Sequence, residues 1–198
     1  MTKIKLCGLS RPCDIKWANE LLPEYIGFVF WEKSKRKVTR EEARELKKIL
    51  SPKIKAVGVF VDEDPEKVAS LLNDDIIDIA QLHGNEDEEY IKKLRSLTDK
   101  ELIKAFIIKD AEDVKNAVAS TADHILLDAG MGEGKAFDHD LLKDIKRDYF
   151  LAGGLDHLNI KNAVDEYLPF AVDVSSGIET KGYKDKEKMT AFVSAVRS

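Results

Sequence analysis

The feature that most constrains this chain is a regular alternation. Apolar strand-like runs fall near 3–7, 25–30, 54–61, 76–82, 102–107, 123–128, 149–152 and 171–174. Amphipathic helical patterns fall between them, near 12–22, 40–50, 65–73, 86–97, 111–119, 139–147, 157–166 and 185–196. A strand that leads into a helix before the next strand returns parallel to it, through a right-handed crossover. About eight such units in 198 residues predict an α/β chain closed as a compact (β/α)8 TIM barrel, a single domain over residues 1–198. A doubly wound open sheet is the structural rival, but it would usually have fewer strands at this length. No linker, low-complexity tract or domain boundary interrupts the pattern.

Composition limits what such a fold can be for. A net charge of −5 and a pI near 5.5 argue against general nucleic-acid binding, so any anion site must be local. No apolar run reaches membrane-spanning length, and residues 1–5 lack the apolar region of a signal peptide. A cytoplasmic location with no membrane partner is therefore expected. Cys7 and Cys13 lie too close together to suggest a secreted disulfide framework.

Barrels carry chemistry at the C-terminal ends of their strands and often hold phosphate after the last two. Two stretches there stop on small residues: Phe150-Leu151-Ala152-Gly153-Gly154-Leu155, and Val172-Asp173-Val174-Ser175-Ser176-Gly177, whose Ser-Ser-Gly can open a short helical turn. Glycines allow close approach of an anion to exposed N–H groups, so Gly153, Gly154, Ser175, Ser176 and Gly177 suggest one shared phosphate grip. On the first strand, alternation puts Ile4 and Leu6 on one face and Lys3, Lys5 and Cys7 on the other. Cys7 then points into the mouth, as an ionisable base or nucleophile or as a small buried hydrophobe. Asp128 ends the sixth strand and is either an acid–base group or a loop acceptor. His83 shares a face with Gln81, with a structural or a pocket-lining role open to it. The basic loop 31–38 contains Arg36, suited to gripping a carboxylate with two parallel hydrogen bonds, or simply solvated. The glycine-rich loop 129–138 can close over a ligand. Two ionisable groups beside a phosphate grip suit acid–base chemistry on a sugar phosphate.

These motifs together resemble the phosphoribosylanthranilate isomerase family. The resemblance rests on Lys5-Leu6-Cys7-Gly8-Leu9, Gly27-Phe28-Val29-Phe30 with Ser34-Lys35-Arg36-Lys37-Val38, Val57-Gly58-Val59-Phe60 and Gln81-Leu82-His83-Gly84. It continues through Leu127-Asp128, Gly132-Glu133-Gly134 with Phe137-Asp138, the two phosphate stretches, Ile178-Glu179, Gly182, Lys184 and Asp185. The family departs at His139, where tryptophan is usual, and at Gly130-Met131-Gly132-Glu133-Gly134, where a Gly-Gly pair is usual. The resemblance implies an Amadori rearrangement in tryptophan biosynthesis, with Cys7 as general base, Asp128 as general acid and Arg36 on the anthranilate carboxylate. It extends the substrate-binding set to His83 and Asp173. No cofactor or metal is required, and the partner implied is a small phosphorylated substrate, bound by a monomer or homodimer. A histidine-pathway sister isomerase generally has aspartate where Cys7 stands. Indoleglycerol-phosphate synthase would need a catalytic lysine–glutamate pair, and a catalytically idle phosphate-binding barrel would not need Cys7, Asp128 and Arg36 together. Reference pKa values of about 3.9 for Asp and 8.5 for Cys leave both groups mostly in the wrong protonation state at neutral pH. The site is therefore expected to raise the pKa of Asp128 and lower that of Cys7.

Overall fold

A computed structural model of the chain describes residues 1–128, 142 and 145–198. The eight apolar runs form β1 (Lys3–Cys7), β2 (Tyr25–Val29), β3 (Lys55–Phe60), β4 (Ile79–Leu82), β5 (Glu101–Ile107), β6 (His124–Asp128), β7 (Tyr149–Ala152) and β8 (Ala171–Val174). Each pairs in parallel with its chain neighbour, and β8 pairs with β1 to close the barrel. Around it lie α1 (Pro12–Leu21), α2 (Arg40–Lys48), α3 (Pro65–Asn73), α4 (Glu88–Arg95), α5 (Ala111–Ala119), α6 (Ile160–Tyr167) and α7 (Lys186–Arg197). The open-sheet rival is excluded by the β1–β8 register, which sets Lys3, Ile4, Lys5 and Leu6 against Ala171, Val172, Asp173 and Val174.

Local chemistry explains most element boundaries. Thr39 caps α2 by accepting from the Glu42 N–H at 3.1 Å, while Glu42 reaches back to the Thr39 N–H at 2.7 Å. Asp64 caps α3 just before Pro65, which is suited to a first helical turn. Strand β4 is shorter than the expected 76–82. Ile76 and Ile77 are buried, but their N–H groups bond to the Leu71 carbonyl and close the end of α3 instead of joining the ladder. The helix expected over 139–147 lies mostly outside the described residues, and its described end, 145–147, is not helical. The loop 129–138 also lies outside them. After β8 the chain makes the short helical turn anticipated at Ser-Ser-Gly, a 3-10 turn over Ser176–Ile178. A two-stranded antiparallel pair, β9 (Glu179–Thr180) and β10 (Tyr183–Lys184), follows it. That pair was not anticipated, because two-residue strands carry no readable period.

Two apolar layers result. Ile4 and Leu6 face outward and are fully buried between strands and helices, among residues such as Ile15, Ile26, Leu127 and Phe192. Inside the barrel, Tyr25, Val57, Ile79, Ile103, Leu126 and Phe150 form an apolar plug. The Phe150 ring packs tilted against Tyr25 at 5.4 Å and edge-on to His124 and Phe170 at 5.8 and 5.7 Å. The plug supports the mouth from below. Truncating a fully buried phenylalanine removes its transfer free energy and leaves a cavity, so Phe150→Ala should lower unfolding free energy by about 3–5 kcal/mol in urea titration. A change below 1 kcal/mol would mean that the barrel interior can collapse onto the gap.

Candidate active site

The C-terminal ends of the strands open into a cavity of about 690 Å³. Cys7, Arg36, His83, Asp128, Gly153, Gly154, Asp173, Ser175 and Ser176 all line it. The strand order gives this grouping its geometry, because β7 and β8 lie between β6 and β1. The two glycine- and serine-rich loops therefore sit between Asp128 and Cys7. Gly177 is not on the lining. A Cβ at Gly177 would stand 2.0 Å from the Leu155 carbonyl oxygen, so its hydrogen lets the two loops pack against each other. A bulky residue there would disturb loop packing rather than simply fill the anion's approach. A second cavity of about 580 Å³ lies between α2 and α3 and contains none of these residues.

Cys7 is 8% exposed and packs with Val29 and Val59. Gly27, its register partner on β2, makes room for it: a Cβ there would stand 2.6 Å from Sγ. One layer below, Lys5 is fully buried and its ammonium donates to Asp173 Oδ2 at 2.8 Å. The other oxygen, Asp173 Oδ1, is buried without a hydrogen-bond partner. The expectation of a lowered Cys7 pKa is not met in the unliganded site. Burial pushes the thiol up, with Asp173 adding to the effect, while Lys5 and Lys184 oppose it. Burial also acts against the charge on Lys5, yet Asp173 and Cys7 together hold its pKa above the ordinary lysine value.

Across the mouth, His83 Nε2 stands 3.8 Å from Asp128 Oδ2. Gln81 Nε2, which can only donate, lies 3.4 Å from His83 Nδ1 and so favours the tautomer carrying its proton on Nε2. Burial lowers the His83 pKa despite the nearby Asp128 charge, which keeps the ring neutral at neutral pH.

Arg36 already uses its fork. Its Nε and Nη2 donate to the two carboxylate oxygens of Glu179 at 2.6 and 2.8 Å. Lys184 Nζ also reaches Glu179, at 2.5 Å, and donates to the Ser175 carbonyl at 2.9 Å. Arg11 then bonds the Lys184 carbonyl at 2.8 Å, tying the start of α1 to the β9–β10 pair. The sequence reading gave no role to Lys5, Glu179 or Lys184. Lys5 had a signal, being a lysine at the middle of β1 on the same face as Cys7. Glu179 and Lys184 had none beyond motif membership, because only the turn after β8 carries them to Arg36.

Burial alone would raise the Glu179 pKa, but hydrogen bonds from Arg36 and Lys184 hold it below the usual glutamate range. A depressed folded-state pKa contributes stability that is present above the unfolded value, about 4.3, and is lost as pH falls through the folded one. The Tm gap between the wild type and Glu179→Gln should thus be constant above about pH 5.5 and close on acidification. A gap that persists undiminished to about pH 3 would assign it to packing rather than charge.

Comparison with known proteins agrees with this architecture. A family model described as N-(5'phosphoribosyl)anthranilate (PRA) isomerase matches residues 4–195. The N-(5'-phosphoribosyl)anthranilate isomerase of Thermoanaerobacter sp. (strain X514) is 42% identical, covering 100% of this chain and 98% of its own. That of Acetivibrio thermocellus is 44% identical, covering 100% and 96%. The crystal structure of phosphoribosyl anthranilate isomerase from Thermotoga maritima is 36% identical, with a TM-score of 0.90 over 100% of this chain and 99% of that one. A second solved structure, of a phosphoribosyl anthranilate isomerase 35% identical with a TM-score of 0.89 and the same coverage, holds reduced 1-(o-carboxyphenylamino)-1-deoxyribulose 5-phosphate. A third, also 35% identical with a TM-score of 0.88 and that coverage, is of monomers generated from the dimeric Thermotoga maritima enzyme. With a family match over nearly its whole length and full-length relatives above 40% identity, the chain belongs to the N-(5'-phosphoribosyl)anthranilate isomerase family.

Proposed function

We propose that the chain converts N-(5'-phosphoribosyl)anthranilate to 1-(2-carboxyphenylamino)-1-deoxyribulose 5-phosphate, a step of tryptophan biosynthesis, by general acid–base catalysis. The observation that carries this reading is the single cavity lined by Cys7 and Asp128, with the loops after β7 and β8 between them. The ligand of the related complex is a reduced form of the same product.

Asp128, as the carboxylic acid, gives its proton to the ribose ring oxygen as the C1′–O bond breaks, leaving an iminium between C1′ and the anthranilate nitrogen. The Cys7 thiolate takes the proton from C2′, and the electron pair of that C–H bond neutralises the iminium to an enolamine. The enolamine gains a proton at C1′ and loses the one on its C2′ hydroxyl, which yields the ketone. Gly153, Gly154, Ser175 and Ser176 hold the phosphate, with Gly177 supporting the pair of loops. Asp173 and His83 complete the substrate contacts from the floor and the β4 side. Arg36 meets the anthranilate carboxylate while Glu179 keeps its guanidinium aimed at the mouth. The chain acts as a monomer or homodimer in the cytoplasm, with no nucleic-acid or membrane partner. No helix among the described residues is long and apolar enough to cross a membrane.

The disappearance of phosphoribosylanthranilate fluorescence provides the assay. Cys7→Ala and Asp128→Asn should each lower kcat by about 10²–10⁴-fold, the usual worth of a positioned acid or base, with KM little changed. Either variant turning over near the wild-type rate removes that residue from its role. Arg36→Ala should lose a charged hydrogen-bonded contact of about 1.5–3 kcal/mol, roughly ten- to a hundredfold in kcat/KM, with Arg36→Lys recovering only part. Inorganic phosphate should compete with substrate, and an unchanged KM at high phosphate would argue against the loops as the phosphate site.

A further inference from the structure

The proposed mechanism needs Cys7 as a thiolate in a setting where burial opposes its ionisation. Beneath it sits a side chain that the mechanism has not used: a lysine with no exposure, on the same inward face of β1 two residues away, paired with Asp173 of β8. Replacing a buried ion pair by apolar side chains of similar volume is often neutral or stabilising. The barrel interior just below is apolar, with Tyr25, Leu126 and Phe150 filling it. The pair is also incompletely satisfied. Lys5 Nζ, with three donors, bonds Asp173 Oδ2 at 2.8 Å and lies within reach of the Cys7 thiol, while Asp173 Oδ1 has no partner among the described residues. An ion pair of this kind at the floor of a reactive cavity costs stability and calls for another reason to be there.

We propose that Lys5 is a positioning residue for catalysis: held upright by Asp173, its ammonium is the fixed counter-charge that receives the Cys7 thiolate as it forms. This deepens the acid–base reading and rests on Cys7 being the base. The charges around the thiol are consistent with it. Lys5 faces it from β1 itself, Asp173 from β8, Lys184 from β10 and Arg36 from the loop after β2, while β2 and β3 contribute only Gly27, Val29 and Val59. His83 on the β4 side and Asp128 on β6 line the same cavity. Arg36 and Lys184 are both committed to Glu179, through 2.6 and 2.5 Å contacts. Lys5 differs in its place: fully buried beneath the thiol, on the same inward face of β1, it is the cation that acts most strongly on Cys7. The Lys5–Asp173 pair has no net charge while Cys7 is a thiol, and the ammonium can share itself between carboxylate and thiolate once the proton leaves. Lys5 opposes the burial penalty on the thiol more than Asp173 adds to it. Burial opposes the charge on Lys5, and Asp173 together with Cys7 outweighs it.

The test needs no substrate. In a Cys13→Ser background, where Cys7 is the only thiol, ionisation is followed by thiolate absorbance near 240 nm and by the rate of alkylation with iodoacetamide across pH. Lys5→Met, which keeps the apolar stem and removes the charge, should raise the Cys7 pKa by about one unit or more and slow alkylation roughly tenfold at about pH 7.5. Lys5→Met/Asp173→Asn removes both charges, so its thiol should titrate above wild type but below Lys5→Met. With substrate, Lys5→Met should lower kcat about tenfold or more, with KM near wild type, and move the rising limb of kcat/KM to higher pH by the same amount as the thiol. A folded Lys5→Met whose thiol titrates as in wild type overturns the proposal, as does a loss confined to KM, which would make the pair a substrate anchor. Circular dichroism and urea unfolding establish folding. If the orphaned Asp173 prevents Lys5→Met from folding, the double variant carries the test, and failure of both to fold makes the pair a structural requirement and ends the proposal. Because the thiol titration is read without turnover, a Cys7→Ala enzyme that stays active would end the base assignment without altering what the titration says of Lys5.

Discussion

The pairing of β8 with β1 is the contact on which the site depends. It removes both edges of the sheet and fixes its register, setting Asp173 directly against Lys5. Neighbouring β7 brings Gly153 and Gly154 beside Ser175 and Ser176. Without closure the first and last strands would be separate edges, and Cys7 would share no cavity with either loop. Closure also determines what lies underneath. Inward positions on alternate strands meet at the axis, so the aromatic plug around Phe150 fills the barrel and leaves the polar groups only the upper end to occupy.

Electrostatics at that upper end differ from a simple cationic mouth. Three cations, Lys5, Arg36 and Lys184, pair with two carboxylates, Asp173 and Glu179, in two separate groupings. One lies under the thiol and is buried. The other lies at the rim, where Arg36 keeps about a third of its side chain exposed. The rim grouping joins three parts of the chain, the loops after β2 and β8 and the β9–β10 pair, so the guanidinium has one preferred direction before any ligand arrives. Such preorganisation reduces the cost of ordering a long side chain on binding. The floor grouping sits where the effective dielectric is lowest and charge acts most strongly on a neighbour. Burial outweighs the cations around the thiol and pushes its pKa up.

The eight-fold strand–helix pattern, the strand termini at Cys7 and Asp128, the Thr39–Glu42 cap and the turn after Ser175 could all be read from residue order. Each depends on period, on capping chemistry or on backbone freedom within a few residues, and such local preferences persist when the chain folds. Alternation on β1 likewise placed Lys5 and Cys7 together on the inward face. What residue order could not supply was who meets whom across the barrel. Lys5 and Asp173 are 168 positions apart, and Arg36 and Glu179 are 143. Nothing local marks either carboxylate as the other's partner. The same holds for the sign of the Cys7 shift, which depends on the balance between desolvation and several distant charges, and for Gly177, whose need for glycine comes from the Leu155 carbonyl of another loop. The sequence by itself determined the strand–helix units and the kinds of groups at their ends. Only the tertiary structure decided which charges share the buried floor and rim, because the energy of a charge is set by its neighbours in space.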